Sequence, residues 1–201
     1  MNKLIVRLIP ILAAGALIAV PATAQAESNL HWYGHGSLIP TGEDVPIVGH
    51  GHLTFHLSEI EAGVTCRVRA NGTVMNPPEG APGTGEITEF ETSHCYVYPK
   101  SLPFCPGHSQ VTVGARGLPW GTHLVHGLVV PKSEIDGIAL LLQCSGTLEP
   151  YAFAGSLAPA VGTGGLEFGE SAGYLLGEPP VVVTGTERLT GPSGLRSITA
   201  R

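Results

Sequence analysis

Five histidines lie close together in the first third of the chain: His31, His35, His50, His52 and His56. Alternate side chains of an extended strand point to the same face, so His50, His52 and His56 are expected to share one. Imidazoles two residues apart on a strand can bind Zn²⁺ or Cu²⁺. The spacing therefore predicts a metal site at these three residues, completed by a ligand from elsewhere in the chain.

Two arginines weigh against that metal site. Arg67 and Arg69 alternate along the next predicted strand, and we expect them to face the same side as the histidines, where they would repel a cation. The favoured interpretation is a solvated, weakly basic strand face that holds no cofactor.

Residues 169–173, Gly-Glu-Ser-Ala-Gly, match the G-x-S-x-G pattern and resemble the nucleophile elbow of carboxylesterases of the α/β-hydrolase family. That elbow needs a strand, a strained turn and a helix, with an acid and a histidine later in the chain. The last histidine, His126, precedes Ser171 by 45 residues, and Pro179 and Pro180 follow soon after. We interpret the segment as a Gly-rich hairpin turn and assign no catalytic residue, so a secreted hydrolase ranks third among the functions.

Aromatic and acidic residues suggest sugar chemistry, but each has a simpler explanation. Trp32 and Trp120 could form a platform for a sugar, although aromatics beside glycines also close the ends of a β core, which we favour. Glu89 and Glu91 are expected to share one strand face and Glu86 to lie on the opposite one, and such a run of glutamates is typical of a solvated sheet face. Asn71 begins an Asn-Gly-Thr glycosylation pattern, which suits a surface turn.

Four cysteines follow the N-terminal segment: Cys66, Cys95, Cys105 and Cys144. An even number in an exported chain predicts two disulfides. We favour Cys66–Cys95 with Cys105–Cys144, while Cys66–Cys144 with Cys95–Cys105 stays open. No C-x-x-C pair supports a zinc site.

Residues 1–26 have the three parts of a cleavable secretory signal. Lys3 and Arg7 form the positive start, an apolar run of 13 residues follows, and Ala24-Gln25-Ala26 is a cleavage pattern. Residues 27–201 are expected to form a single β-rich domain with no membrane span, secreted or extracytoplasmic. That part has 8 Lys and Arg against 16 Asp and Glu, an acidic balance that disfavours nucleic acid as a partner.

Short β-branched runs separated by Gly and Pro predict an all-β fold. We expect about nine short strands, in a single antiparallel β-sandwich or an irregular β-barrel, preceded by the signal helix. The runs are residues 50–57, 64–70, 86–98, 110–115, 137–148, 151–161, 165–168, 181–189 and 195–199, and residues 133–138 are expected to hold a short helical turn.

The order of several strand-and-turn segments resembles a loose group of uncharacterised exported bacterial β-rich proteins with no known activity. The segments are residues 63–66, 83–90, 105–106, 117–120, 166–168 and 183–186. This resemblance implies no ligand and no catalytic residue. The function predicted from the sequence is an exported, non-catalytic β domain with an unidentified binding or structural role at or outside the cell envelope. Its partner would be an unknown ligand or envelope component, and an extracellular Zn- or Cu-binding protein is the alternative.

Overall fold

The computed structural model describes residues 30–57, 59, 61–98, 105, 110–146, 150–191 and 198–201. The predicted signal segment, residues 1–26, lies outside this part of the chain. The described residues form an all-β structure, as predicted. Its longer strands are β3 (Val45–Leu57), β4 (Ala62–Met75), β5 (Thr84–Tyr98), β6 (Val111–Arg116), β7 (Trp120–Val125), β8 (Lys132–Cys144), β9 (Tyr151–Leu157) and β13 (Val181–Thr190).

Shorter strands complete the structure: β1 (Trp32–Gly34), β2 (Ser37–Leu38), β10 (Ala160–Gly162), β11 (Gly165–Phe168), β12 (Tyr174–Leu175) and β14 (Ile198–Ala200). One-turn 3-10 helices lie at Pro78–Gly80 and Glu170–Ala172. Residues 133–138, expected to form a helical turn, lie within β8 instead. Alternating burial along β8 stabilises the strand there, because Ser133 and Ile135 both point into the core.

Eight strands close into an antiparallel barrel in the order β10-β11-β13-β3-β4-β5-β7-β8. The pairing of Ala160 in β10 with Lys132 in β8 joins the two ends of the sheet. Of the two predicted architectures, the barrel is therefore the one that forms. Closure removes the exposed strand edges that an open sheet would leave.

Two strands change partners along their length. The first part of β8 pairs with β7 and β10, and its later part pairs with β6 and β9. β13 pairs with β12 at its start and with β11 further along. Because β8 changes partner from β7 to β6, β6 lies beside β5 with no backbone ladder between them in the described residues.

The barrel interior is filled by the apolar face of each strand. On β3, Leu53, Phe55 and Leu57 are buried, while His50 is exposed on the outside. On β4, Cys66 is completely buried, as the alternation predicts. Period-two alternation thus separates an apolar inner face from a polar outer face.

A small sheet of β1, β2 and β14 closes one end of the barrel. Trp32 of β1 is 1% exposed, and its indole Nε1 donates a hydrogen bond to the Thr84 carbonyl oxygen at 3.0 Å. The buried Asn76 amide accepts from Trp32 N at 2.7 Å and donates to the carbonyl oxygens of Trp32 and Ile39. The first described segment is therefore held firmly over the barrel.

The cysteines form the two pairs that the sequence favours, Cys66–Cys95 and Cys105–Cys144. Their Cα atoms are 4.1 Å and 5.5 Å apart, respectively. The first pair links β4 to β5, and the second links Cys105 to the end of β8.

Two local predictions about β4 and β5 are wrong. The Asn71 position is in the middle of β4 and not in a surface turn, because the strand continues to Met75. A register shift opposite Asn71 and Gly72 places Thr88 as an extra residue in β5, so Glu86, Glu89 and Glu91 are all exposed. A β-bulge shifts the alternation by one residue, and sequence spacing does not reveal it.

Within the described residues, no helix has the length and apolar character needed to cross a membrane.

Candidate functional site

The predicted metal ligands His50, His52 and His56 are all exposed on the outer face of β3, so their predicted common face is confirmed. The His56 ring nitrogen Nε2 lies 3.1 Å from the Thr184 hydroxyl on β13. In the part of the chain that the structure describes, no three His, Cys, Asp or Glu side chains come together to hold a metal ion. Metal binding at the three histidines stays a prediction.

Arginines flank these histidines on both sides. The strand register places Arg69 opposite His50 and Arg67 opposite His52 on β4, and it places Arg188 beside His50 on β13. All three arginines are exposed, and none forms an ion pair with a carboxylate of a described residue. The resulting positive potential disfavours a metal cation and favours an anion.

An open groove of about 570 Å³ runs along the outside of the barrel next to these residues. We call it the outer groove, and define it by its lining residues: His50, Arg67, Val68, Arg69, Phe90, Glu91, Thr92, Ser93, Thr112, Val113 and Gly114. Its size lies within the usual range for small-molecule sites, about 300–1,000 Å³. The polar part of the lining is mainly cationic and hydroxyl side chains, with one carboxylate, Glu91, opposite Arg69, so the groove suits a polar, negatively charged ligand.

The groove forms because β5 and β6 do not pair through their backbones in the described residues. β5 pairs with β4 and, at its start, with β7, while β6 pairs with β8. The Thr92 hydroxyl bridges β5 and β6 instead, since it donates to the Val113 carbonyl oxygen at 2.7 Å and lies 3.4 Å from Val113 N. A side chain between two strands holds them further apart than a direct ladder does, which leaves a concave surface.

Two exposed tyrosines follow the groove along β5. Tyr96 is 60% exposed and Tyr98 is 75% exposed. The tryptophans considered as a sugar platform, Trp32 and Trp120, are 1% and 3% exposed and belong to the core, as favoured from the sequence. Aromatic surface for stacking is therefore provided by tyrosines that the sequence reasoning did not single out.

The barrel interior contains one feature that the sequence analysis missed, the carboxyl group of Glu187. The residue is 5% exposed, and its Oε1 atom has no hydrogen-bond partner. Burial raises the pKa of Glu187 from 4.5 to about 7 because removal from water disfavours the charged form. A buried carboxyl without a partner destabilises a fold, so its presence inside an apolar barrel points to a role.

Glycine makes the space that this carboxyl group occupies. Glu187 is paired across the sheet with Gly51 of β3 on one side and Leu166 of β11 on the other. A Cβ atom at Gly49 would lie 2.0 Å from Glu187 Oε1. Any larger residue at position 49 would displace the carboxyl group.

Two interior cavities meet at Glu187, and each has a volume of about 30 Å³. The cap cavity lies beneath Trp32 and is also lined by Thr122, Ser133 and Leu189. The core cavity is lined mainly by apolar side chains, which include Leu53, Phe55, Phe90, Trp120, Leu140 and Phe168. Each has room for about two water-sized molecules.

The hydroxyl groups of the cap cavity are already paired. Thr122 Oγ1 and Ser133 Oγ are buried and lie 2.5 Å apart, within hydrogen-bond distance of each other. The Glu187 carboxyl group and the buried Oδ1 atom of Asn71, which also lines the cap cavity, are therefore left to interact with a molecule there.

The G-x-S-x-G segment does not form a nucleophile elbow. Ser171 lies in the one-turn 3-10 helix Glu170–Ala172, and the chain then enters the two-residue strand β12. An elbow requires a longer helix after the turn. The predicted hairpin turn is instead a short 3-10 turn, anchored by a hydrogen bond of 2.8 Å from Lys132 Nζ to the Ser171 carbonyl oxygen.

A second polar cluster lies on the outside of β7, β8 and β9. His123 Nε2 is 3.4 Å from Glu134 Oε2, and His123 Nδ1 is 3.5 Å from Asp136 Oδ2. The Ser156 hydroxyl donates to Asp136 Oδ1 at 2.7 Å. All of these hydrogen-bonded or paired groups are solvent-accessible, and such surface contacts contribute little to stability.

Comparison of the chain with protein-family models, with curated proteins and with solved structures finds no match.

Proposed function

We propose that this protein is an exported, non-catalytic binding protein whose outer groove binds an acidic oligosaccharide. The observation that carries the proposal is the set of unpaired, exposed arginines beside a groove of about 570 Å³. Arg67, Arg69 and Arg188 are three of only 8 basic residues that follow the predicted signal. Their concentration on one face of an otherwise acidic chain favours a negatively charged ligand.

The chemistry of the groove fits the carboxylate or sulfate groups of a sugar polymer. Guanidinium groups bind such planar or tetrahedral anions through paired hydrogen bonds. Ser93 and Thr112 offer hydroxyl groups for the sugar hydroxyls. Tyr96 and Tyr98 present exposed rings on which a sugar can stack.

Export is part of this proposal, and the two cysteine pairs support it because disulfides persist in oxidising compartments. We expect cells that express the full chain to release a product that begins at Glu27 and lacks free thiols. Mass measurement of the released protein, before and after reduction, tests both features. Recovery of an uncleaved, reduced chain in the cytoplasm would contradict export without affecting the groove.

We expect the paired substitution Arg67→Gln and Arg69→Gln to weaken binding of oligogalacturonate by about 10- to 100-fold, because two charge-assisted contacts are lost. Affinity should also fall as salt concentration rises. Calorimetric titration of both proteins with oligogalacturonate, and with neutral maltooligosaccharide of equal length, measures these effects. Arg116→Gln is the matched control, since Arg116 is exposed at the end of β6 and does not line the groove.

Equal affinity of the paired variant and the parent, or equal affinity for the neutral and acidic sugars, would refute the groove as an acidic-sugar site. The competing prediction, a Zn or Cu site at His50, His52 and His56, is tested on the same protein. Saturable Zn²⁺ binding that His52→Ala abolishes would favour the metal site. On our proposal, Zn²⁺ binding is weak and is unchanged by that substitution.

A further inference from the structure

Apolar side chains and glycines of the barrel surround the buried carboxyl group of Glu187. Glu187 is 5% exposed, and the alternation of β13 directs it into the barrel together with Val183 and Leu189. Gly49 of β3 leaves room for the carboxyl group, and Gly51 allows the backbone of β13 to approach closely, since a Cβ atom there would lie 2.0 Å from the Thr186 carbonyl oxygen. A polar residue that served only to fill this space would be destabilising compared with an apolar one.

The ligand that complements this carboxyl must donate hydrogen bonds. Oε1 of Glu187 and Oδ1 of Asn71, which also lines the cap cavity, have no partner in the described structure, and the nearby Thr122 and Ser133 hydroxyls bond to each other. No Lys or Arg lines either cavity among the described residues. A donor with a positive charge would therefore supply both the missing hydrogen bond and the missing counter-charge.

The two cavities limit the size and shape of such a molecule. Each has room for about two water-sized groups. The cap cavity carries the polar Thr122 and Ser133, whereas the core cavity is bounded by apolar residues such as Phe55 and Phe168. An ammonium group at Glu187 with a short hydrocarbon tail in the core cavity matches this division.

We propose that the barrel interior is a second binding site, distinct from the outer groove, which takes a small primary amine in its ammonium form with Glu187 as the counter-ion. The ammonium group and the first carbon of a tail of at most about three carbons lie in the cap cavity, and the other two carbons lie in the core cavity.

Binding of a cation should depend on pH in a defined direction. Glu187 is half protonated near pH 7 in the empty protein, and only its carboxylate form attracts the ammonium group. Affinity is therefore expected to fall about tenfold for each pH unit below 7 and to be constant above it. Among the described residues, no other ionisable side chain faces Glu187 from inside the barrel. Glu86 borders the cap cavity but its side chain is exposed, and Arg188 and His50 point outward.

The experiment is a calorimetric titration of the full chain with n-propylammonium chloride at pH 8 and pH 6, at constant ionic strength. We expect a dissociation constant between about 0.1 and 10 mM at pH 8 and about tenfold weaker binding at pH 6. n-Propanol at the same concentrations is the neutral control. Carboxyl carbon NMR of Glu187 provides a second measurement, because amine binding should lower its pKa.

Glu187→Gln is the decisive variant, since it keeps the shape of the side chain and removes the charge. We expect it to lose amine binding at least tenfold while its oligogalacturonate binding is unchanged, which separates this site from the outer groove. Binding that Glu187→Gln retains, equal binding of propanol and propylammonium, or no binding at pH 8 would each overturn the proposal. In the last two cases the cavities hold water or a neutral molecule.

Discussion

Glu187→Gln is expected to raise the free energy of unfolding at pH 8 by about 3 kcal/mol. The pKa of Glu187 is about 7 in the folded chain and 4.5 without burial. At about 1.4 kcal/mol for each pH unit, this difference makes the ionised carboxyl cost about 3 kcal/mol of stability. The residue is 5% exposed, so solvent screens this cost little.

The effect should appear in a defined pH range. Below pH 4.5 the carboxyl is neutral in both the folded and unfolded chains, and no cost arises. Between pH 4.5 and 7 the unfolded chain releases the proton while the folded chain keeps it, so stability falls as pH rises. Above pH 7 both states are ionised, and the cost is complete and constant.

Urea unfolding of the parent and of Glu187→Gln at pH 4, 5, 6, 7 and 8 measures this difference. The two proteins should be about equally stable at pH 4 and diverge up to pH 7. Glu167→Gln is the matched control, because Glu167 lies on the adjacent strand β11 with an exposed side chain and should leave the profile unchanged. Parallel stability profiles for parent and Glu187→Gln would show that water reaches the carboxyl.

Trp32→Ala is expected to lower the free energy of unfolding by about 4 kcal/mol, because a fully buried large side chain is removed and a cavity remains. The substitution also removes the cover of the cap cavity. Water should then reach Glu187, and the pKa of its carboxyl should fall from about 7 toward 4.5.

Trp32→Phe is the matched control for this prediction. Phenylalanine keeps an aromatic ring over the cavity and loses the Nε1 hydrogen bond to Thr84, so a smaller loss of about 1–2 kcal/mol is expected. Denaturant unfolding gives the stabilities, and carboxyl carbon NMR gives the pKa of Glu187. If Trp32→Ala leaves that pKa at about 7, then the small sheet of β1, β2 and β14 is not what excludes water.

Alternation along single strands was predictable because it depends only on extended backbone geometry. The outward direction of His50, His52 and His56 and the burial of Cys66 both follow from it. The same rule failed in β5, where the extra residue Thr88 brings Glu86 to the outside with Glu89. A bulge depends on the partner strand, and short-range spacing contains no information about that partner.

The outer groove was only half predictable. Arg67 and Arg69 were expected beside the histidines, because two alternating strands of a hairpin place them there. The other wall comes from β6, which approaches β5 through the Thr92 side chain and not through a backbone ladder. Nothing in the spacing of residues 86–98 and 110–115 indicates that these strands lie side by side.

By itself, the sequence determined the all-β class and the histidine and arginine residues that share a polar face. It favoured one cysteine pairing and left a second open, and the structure shows the favoured one. The sequence also places Glu187 on the same side of its strand as Val181, Val183 and Leu189. Only the tertiary structure decided that this side is enclosed all round, through the contact of β10 with β8 and the cover of Trp32. The physical reason is that the desolvation of a side chain depends on every strand that surrounds it. The alternation of residues along one strand shows only to which side of that strand the side chain points.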